Sequence, residues 1–285
     1  MCRFLAYQGP ALPIDDLLYK PDHSLIKQSY QAHELPEPLN GDGFGLGWYA
    51  PEVSSEPAVF TSIMPAWNNR NLRYMAPHLT SPSIFAHVRR ASCGQVAQAN
   101  CHPFHYGDLL MMHNGGVPHF GHIKRHLVQR LSDARYHWLD GQTDTQHLFA
   151  LFLDHYFANE RRDADAMADA FQGLFRDLAE LKAEAGLTQA AHLNMVVTNG
   201  RESVGVRYVD EPDGTPLSLH YSAGSRYVCD TQGCRMRTAQ SHEQSAALIA
   251  SEPLTSEAPH WHDVPPHHFV LVNRAAELSL RRVEP

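Results

Sequence analysis

Runs of apolar residues long enough to cross a membrane are missing from this 285-residue chain. Stretches such as Met195-Val196-Val197 and Phe269-Val270-Leu271-Val272 are strand-length, whereas a bilayer demands about 20 residues. No membrane partner is expected. Basic runs are missing too. Lys and Arg number 23 against 31 Asp and Glu, a formal net charge of −8, which argues against a phosphate backbone and hence against nucleic acid. Cysteine is scarce and odd in number, at five, and lacks framework spacing; free thiols in a reducing, cytoplasmic compartment are expected. The first ten residues, MCRFLAYQGP, break before the apolar stretch of a secretory signal develops. Repeats, low-complexity tracts and a linker between halves are also lacking, so residues 1–285 read as one domain. Hydrophobic content of 43% and charged content of 19% suit a soluble globular protein.

What is present has a clear order. Phe4 to Tyr7 reads as a short buried strand, and Gly43 to Tyr49 alternates glycine with large apolar residues, as in a strand that something overlies closely. Ser83–Arg89 and Asp108–His113 read as strands, and His119–Leu131 as a helix. A second helix begins near Thr143, where Thr143 and Gln146 match a capping box, and a third carries Met167, Phe171, Leu174 and Leu178 at helical period before Gly186. Thereafter the period becomes two. Asn199-Gly200 signals a hairpin, and Leu217–Tyr221, Ala246–Ala250, Phe269–Asn273 and Glu277–Val283 read as strands. A short Pro-rich loop is expected from Leu35 to Asn40. Strands, a helix block, then strands with hairpins is the order of a layered α+β protein.

Cys2 carries the most chemistry. Removal of Met1 would give one residue both a thiol and a free α-amine, whose reference pKa of about 7.7–8.0 lets it act as a base near neutrality. Taken alone, Cys2 also reads as a small apolar residue opening a strand. Four clusters bear on the choice. Ala86-His87-Val88-Arg89-Arg90 ends a strand in two arginines, and a guanidinium fork suits a carboxylate. Asn100-Cys101-His102-Pro103-Phe104 is a polar turn into a strand. His113-Asn114-Gly115-Gly116 stops an apolar strand where an amide side chain and a backbone N–H can serve as oxyanion donors, or simply make a turn. Gly141-Gln142-Thr143-Asp144 places a carboxylate in a helix's first turn, as a cap or as a receptor for a ligand ammonium.

With Met1-Cys2-Arg3, Asn40-Gly41-Asp42-Gly43-Phe44-Gly45 and Thr143-Asp144-Thr145, these motifs resemble the class II, or N-terminal nucleophile, glutamine amidotransferases. Ala250-Ser251-Glu252-Pro253-Leu254 and Trp261 to Pro266 resemble the end of the stand-alone members. The likeness is strongest to short enzymes cleaving γ-glutamyl amides, including the ergothioneine-pathway amidohydrolases and the fungal glutathione-degrading subunit. It implies a single glutamine amidotransferase type 2 domain, a four-layer αββα sandwich of the N-terminal nucleophile hydrolase type, with Cys2 at the mouth of a cleft between the sheets. It implies that Cys2 attacks a γ-glutamyl carbonyl to form a thioester, that Asn114 and Gly115 hold the oxyanion, that Arg89 takes the α-carboxylate, and that Asp144 takes the α-ammonium. The small-molecule γ-glutamyl substrate is then cleaved by water. A glutaminase subunit supplying ammonia to a separate synthase partner and a non-catalytic binding module of the same fold are the alternatives; a partner enzyme or a homo-oligomer is the macromolecular partner the reading leaves open. The chain departs from glutaminase domains at Cys93, where those have a histidine.

No cofactor and no metal are expected. Cys101 with His102 and His105, Cys229 with Cys234, and His260, His262, His267 and His268 lack the paired spacing of a structural zinc site. The 20 histidines read as scattered surface and hydrogen-bonded residues.

Overall fold

The computed structural model describes residues 2–34, 39–238, 244–255 and 260–284. Met1 and most of the loop expected over Leu35–Asn40 lie outside them. Strands β1 (Arg3–Pro13), β2 (Phe44–Trp48), β3 (Ala58–Ser62), β4 (Thr80–Val88), β5 (Phe104–Tyr106) and β6 (Leu109–Gly116) come first, with short helices α1 (Asp15–Leu18), α2 (Leu25–Gln28) and α3 (Arg70–Met75) among them. A helical block follows: α4 (Phe120–Arg130), α5 (Asp133–Trp138), α6 (Asp144–Ala158) and α7 (Ala164–Glu184). The chain then returns to strands β7 (His192–Thr198), β8 (Ser203–Arg207), β9 (His220–Gly224), β10 (Arg226–Asp230), β11 (Gly233–Arg237), β12 (Ala246–Ala250), β13 (His262–Asp263), β14 (His268–Val272) and β15 (Leu278–Arg282).

Two sheets stack face to face. One has the order β13-β9-β12-β1-β4-β2-β3, the other β15-β14-β8-β7-β6-β5. Alternation along each strand builds the layers, because successive side chains point to opposite faces. Phe4 and Ala6 of β1, Leu110 and Met112 of β6, and Ile249 of β12 point inward and share one core between the sheets. Leu5 and Tyr7 point outward beneath α1, α2 and the β10–β11 ribbon. Leu109 and Met111 point outward beneath α4, α6 and α7. Each central strand is therefore buried on both faces, and the four layers are those of an αββα sandwich.

The close packing read from the glycines of β2 is real: a Cβ on Gly45 would collide with the carbonyl oxygen of His102. The Thr143 hydroxyl accepts from Gln146 N at 3.2 Å and so starts α6. The Asn199-Gly200 hairpin joins β7 to β8 through residues 199–202, where Asn199 Oδ1 accepts from the N–H groups of Arg201 and Glu202. Two expectations need correction. The strand placed at Leu217–Tyr221 begins only at His220. Cys229 and Cys234 are not free thiols but form a disulfide, since they face each other across the β10–β11 ladder with Cα atoms 4.0 Å apart.

Candidate active site

Cys2 precedes the first residue of β1, in the middle of its sheet, and is half-buried. Two groups of one neighbouring residue grip its sulfur: Arg90 N–H donates to Sγ at 3.3 Å, and the thiol donates to Arg90 O at 3.4 Å. Burial pushes the thiol pKa up, while the Arg90 N–H bond and the charges of Arg89 and Arg3 pull the other way. The resting form is a thiol, so nucleophilic attack needs a base to take its proton.

Arg89 follows β4 and is 2% exposed. Its side chain threads a loop that folds back over it: Nη2 donates to Cys93 O at 3.0 Å, and Nη1 to Gln95 O at 3.3 Å and Asp42 O at 3.5 Å. Asp42 fixes that loop by accepting from Ala91 N at 2.8 Å. Of the adjacent arginines, the backbone of Arg90 holds the Cys2 sulfur, while the guanidinium of Arg89 is the buried one.

β6 runs antiparallel to β7 and ends at Asn114-Gly115-Gly116. Asn114 is 1% exposed, and its Nδ2 donates to Ser251 Oγ at 3.5 Å; the same hydroxyl accepts Phe4 N at 3.1 Å. One serine thus bridges the amide of Asn114 and the backbone two residues beyond Cys2. Gly115 has φ +152°, and a Cβ there would collide with the carbonyl oxygen of His192. Only glycine lets the strand end in this conformation.

Asp144 opens α6 and is 6% exposed. Its Oδ2 accepts Val117 N at 2.9 Å and its Oδ1 accepts Thr145 N at 2.8 Å. These neutral donors and the helix N-terminus hold the carboxylate without cancelling its charge, leaving it able to attract a ligand cation. Thr145 Oγ1 lies 2.9 Å from His113 Nδ1, which ties α6 to β6. Loops 89–95 and 140–143 also meet, with Gln95 N donating to Gln142 Oε1 at 3.4 Å. Cys93 sits at that junction. Burial first and the Asp144 charge second push its thiol pKa up.

The fold therefore brings Cys2 against Arg90, joins Asn114 to β1 through Ser251, and folds the Arg89 loop onto the residues preceding Asp144. Three features went unrecognised in the sequence. Arg3 and Glu252 form a buried ion pair beside Cys2. Ser251 serves as a hydroxyl bridge. His87, His102 and His113 are core residues rather than scattered surface ones. His87 Nε2 donates to His113 O at 3.1 Å, and the His87 and His102 rings lie 4.1 Å apart. Burial pushes the pKa of His87 down to about 3 and lowers those of His102 and His113. The Cys101, His102 and His105 set does not converge as a metal site: the Cys101 thiol donates to Ser62 O and Ala97 O, and His105 bonds Gly107 O.

Residues 28–284 match the family model of the class II glutamine amidotransferases. The chain belongs to that family. This class II amidotransferase is 35% identical over 293 residues to the probable glutamine amidotransferase DUG3 of Saccharomyces cerevisiae, covering 96% of this chain and 82% of that one. It is 26% identical over 280 residues to the gamma-glutamyl-hercynylcysteine sulfoxide hydrolase of Mycolicibacterium smegmatis, covering 96% and 97%. Among solved structures, a glutamine aminotransferase class-II domain protein from Silicibacter pomeroyi superposes over the full length of both chains with TM-score 0.68 at 23% identity. The PRPP amidotransferase of B. subtilis superposes with TM-score 0.58 over 99% of this chain and 49% of its own. Both likenesses concern the fold. No helix among the described residues is long and apolar enough to cross a membrane.

Proposed function

We propose that this class II amidotransferase hydrolyses a γ-glutamyl amide bond with Cys2 as its N-terminal nucleophile. The observation that carries the reading is the seat of Cys2, its sulfur held by both backbone groups of Arg90, with Asn114 tied through the Ser251 hydroxyl to the backbone of Phe4, two residues beyond Cys2. Once Met1 is removed, the α-amine takes the thiol proton as sulfur adds to the γ-carbonyl. Asn114 Nδ2 and Gly115 N–H receive the oxyanion. The amine leaves with the relayed proton, a glutamyl thioester remains, and water cleaves it to release glutamate and the thiol. Arg89 anchors the α-carboxylate at the buried end and Asp144 the α-ammonium. Water as acceptor is favoured by the end-to-end match to a relative named as a hydrolase. The three unpaired cysteines, Cys2, Cys93 and Cys101, suit a reducing cytoplasm, whereas the Cys229–Cys234 disulfide does not add to that reading.

Intact-protein mass spectrometry before and after treatment with a diazo-ketone analogue of glutamine tests this. Loss of Met1 and one adduct on Cys2 are expected. A retained methionine with no adduct, in protein from a host that trims Met-Cys, overturns the assignment.

A further inference from the structure

A second cluster of titratable side chains, none of them assigned to the reaction, is joined to Cys2 through Arg3. His23, His33, Glu34, His220, Glu252 and Asp263, with Trp261, line a cavity of about 390 Å3. Within it, one ligating atom each of His23, His33 and Glu252 lies within 4.8 Å of the other two. We propose that these three side chains form a binding site for a divalent transition metal of the zinc class, with its remaining position open to the cavity. The proposal goes beyond the hydrolase reading and does not depend on it.

The donor set is right for such a metal: two imidazoles and a carboxylate at about 2.0–2.2 Å make a three-ligand site with an open fourth position. Tetrahedral ligands at those lengths stand about 3.3 Å apart. His23 Nε2 and Glu252 Oε2 are already 2.7 Å apart, so the ion would replace the shared proton with a small outward shift. His33 must move most. Its ring stacks on that of His23 with centroids 3.9 Å apart, and an imidazole lone pair lies in the ring plane, so the two rings must splay to aim at one point. His33 is the exposed one of the three, whereas the carboxylate is fixed: Glu252 Oε1 accepts from Arg3 Nε at 2.5 Å and Glu34 N at 3.1 Å, and Oε2 accepts from His33 N at 2.9 Å. This is the outer support that a ligating carboxylate needs. Charge also favours a dication. Glu34, Glu252 and Asp263 outnumber the two arginines that reach them, Arg3 and Arg207.

Free thiols also take zinc, so the full-length chain carrying Cys2→Ser and Cys93→Ser is the protein to titrate. Calorimetry with zinc chloride in a non-chelating buffer should show one site per chain. His33→Ala, which changes an exposed side chain, and His23→Ala should each weaken it at least about tenfold. Zinc should raise the melting temperature of the parent and not of the variants, as expected when a ligand binds only the folded state. Thermal melting without metal confirms that each variant is folded. No saturable uptake by the parent, or equal affinity in parent and His33→Ala, overturns the proposal and places any bound zinc on other histidines.

Discussion

The guanidinium of Arg3 and the carboxylate of Glu252 meet at 2.5 Å with both side chains 1% exposed, although 249 residues separate them in the chain. The same guanidinium donates to the carbonyl of Cys2 at 2.8 Å. His23 Nε2, at 2.7 Å, and the N–H groups of His33 and Glu34 complete the carboxylate's partners. The position of Cys2 thus depends on an ion pair buried between the ends of β1 and β12. A buried pair of this kind contributes little net stability when intact but is costly to break, because the surviving partner becomes an uncompensated charge.

Glu252→Gln should therefore destabilise the fold by about 3–5 kcal/mol, measured by urea unfolding. Adding Arg3→Met to that variant should recover part of the loss, since no buried charge remains. Equal stability in the single and double variants would show that the carboxylate's other hydrogen bonds matter more than its charge partner.

Acid should weaken the protein in two windows. Burial keeps His87 neutral down to about pH 3, whereas in the unfolded chain it binds a proton near pH 6.5. Its contribution is complete above pH 6.5 and is lost as pH falls from there towards 3. His102 and His113 are shifted in the same direction. Glu252 behaves as a depressed carboxylate. Although burial alone would raise its pKa, the His23 hydrogen bond, the Arg3 charge and two backbone N–H groups bring it down to about 2 against an ordinary 4.5. Its share persists above about pH 4.5 and disappears as pH falls through 2. Each neutral buried histidine adds up to about 1.4 kcal/mol per pH unit below its unfolded pKa. In His87→Phe, the fall of the unfolding free energy from urea melts between pH 6.5 and 5 should flatten by up to about 1.4 kcal/mol per pH unit; an unchanged slope would put the acid sensitivity elsewhere.

What the sequence made legible was local. The Thr143 cap, the period of α6 and α7, the glycine alternation of β2 and the Asn199-Gly200 turn are all set by residues within a few positions of one another, and all appear in the structure. The candidate site was legible through motif resemblance, with Cys2, Arg89, Asn114, Gly115 and Asp144 lying in separate segments. Contacts joining distant segments were not legible. Nothing near Arg3 indicates Glu252, and nothing near Asn114 indicates the Ser251 hydroxyl. Cys229 and Cys234 became a disulfide because a ribbon turns between them, a ribbon that their polar surroundings did not suggest. The histidines carried the same ambiguity. His87 and His113 alternate with apolar residues on buried strands, but their number in the chain suggested surface positions.

Asn114→Ala should lower kcat about 10²–10³-fold with little change in KM, the cost of removing one oxyanion donor. The fold should persist, since Nδ2 gives up a single long bond to Ser251. Gly115→Ala should behave differently. With φ at +152° and His192 O in the way, the strand end must shift, and a loss of at least about 2 kcal/mol is expected alongside lost activity. Steady-state kinetics and melting on the two variants separate the chemical role from the conformational one.

Asp144 carries the sharpest test of substrate orientation. Its carboxylate receives Val117 N and Thr145 N, and an asparagine can keep only some of these bonds, so a change in activity alone would not distinguish binding from structure. The substrate supplies the distinction. A γ-glutamyl anilide has an α-ammonium and a glutaryl anilide lacks it, while both offer the same scissile amide to Cys2. With Asp144→Asn, kcat/KM for the glutamyl compound should fall about 10–100-fold, mostly through KM, because a charge contact present in both ground and transition states is lost. The glutaryl compound, already without that contact, should react at nearly the parent rate. Equal losses on both compounds would assign Asp144 to holding α6 against β6 through Thr145 and His113, and the ammonium would need another partner.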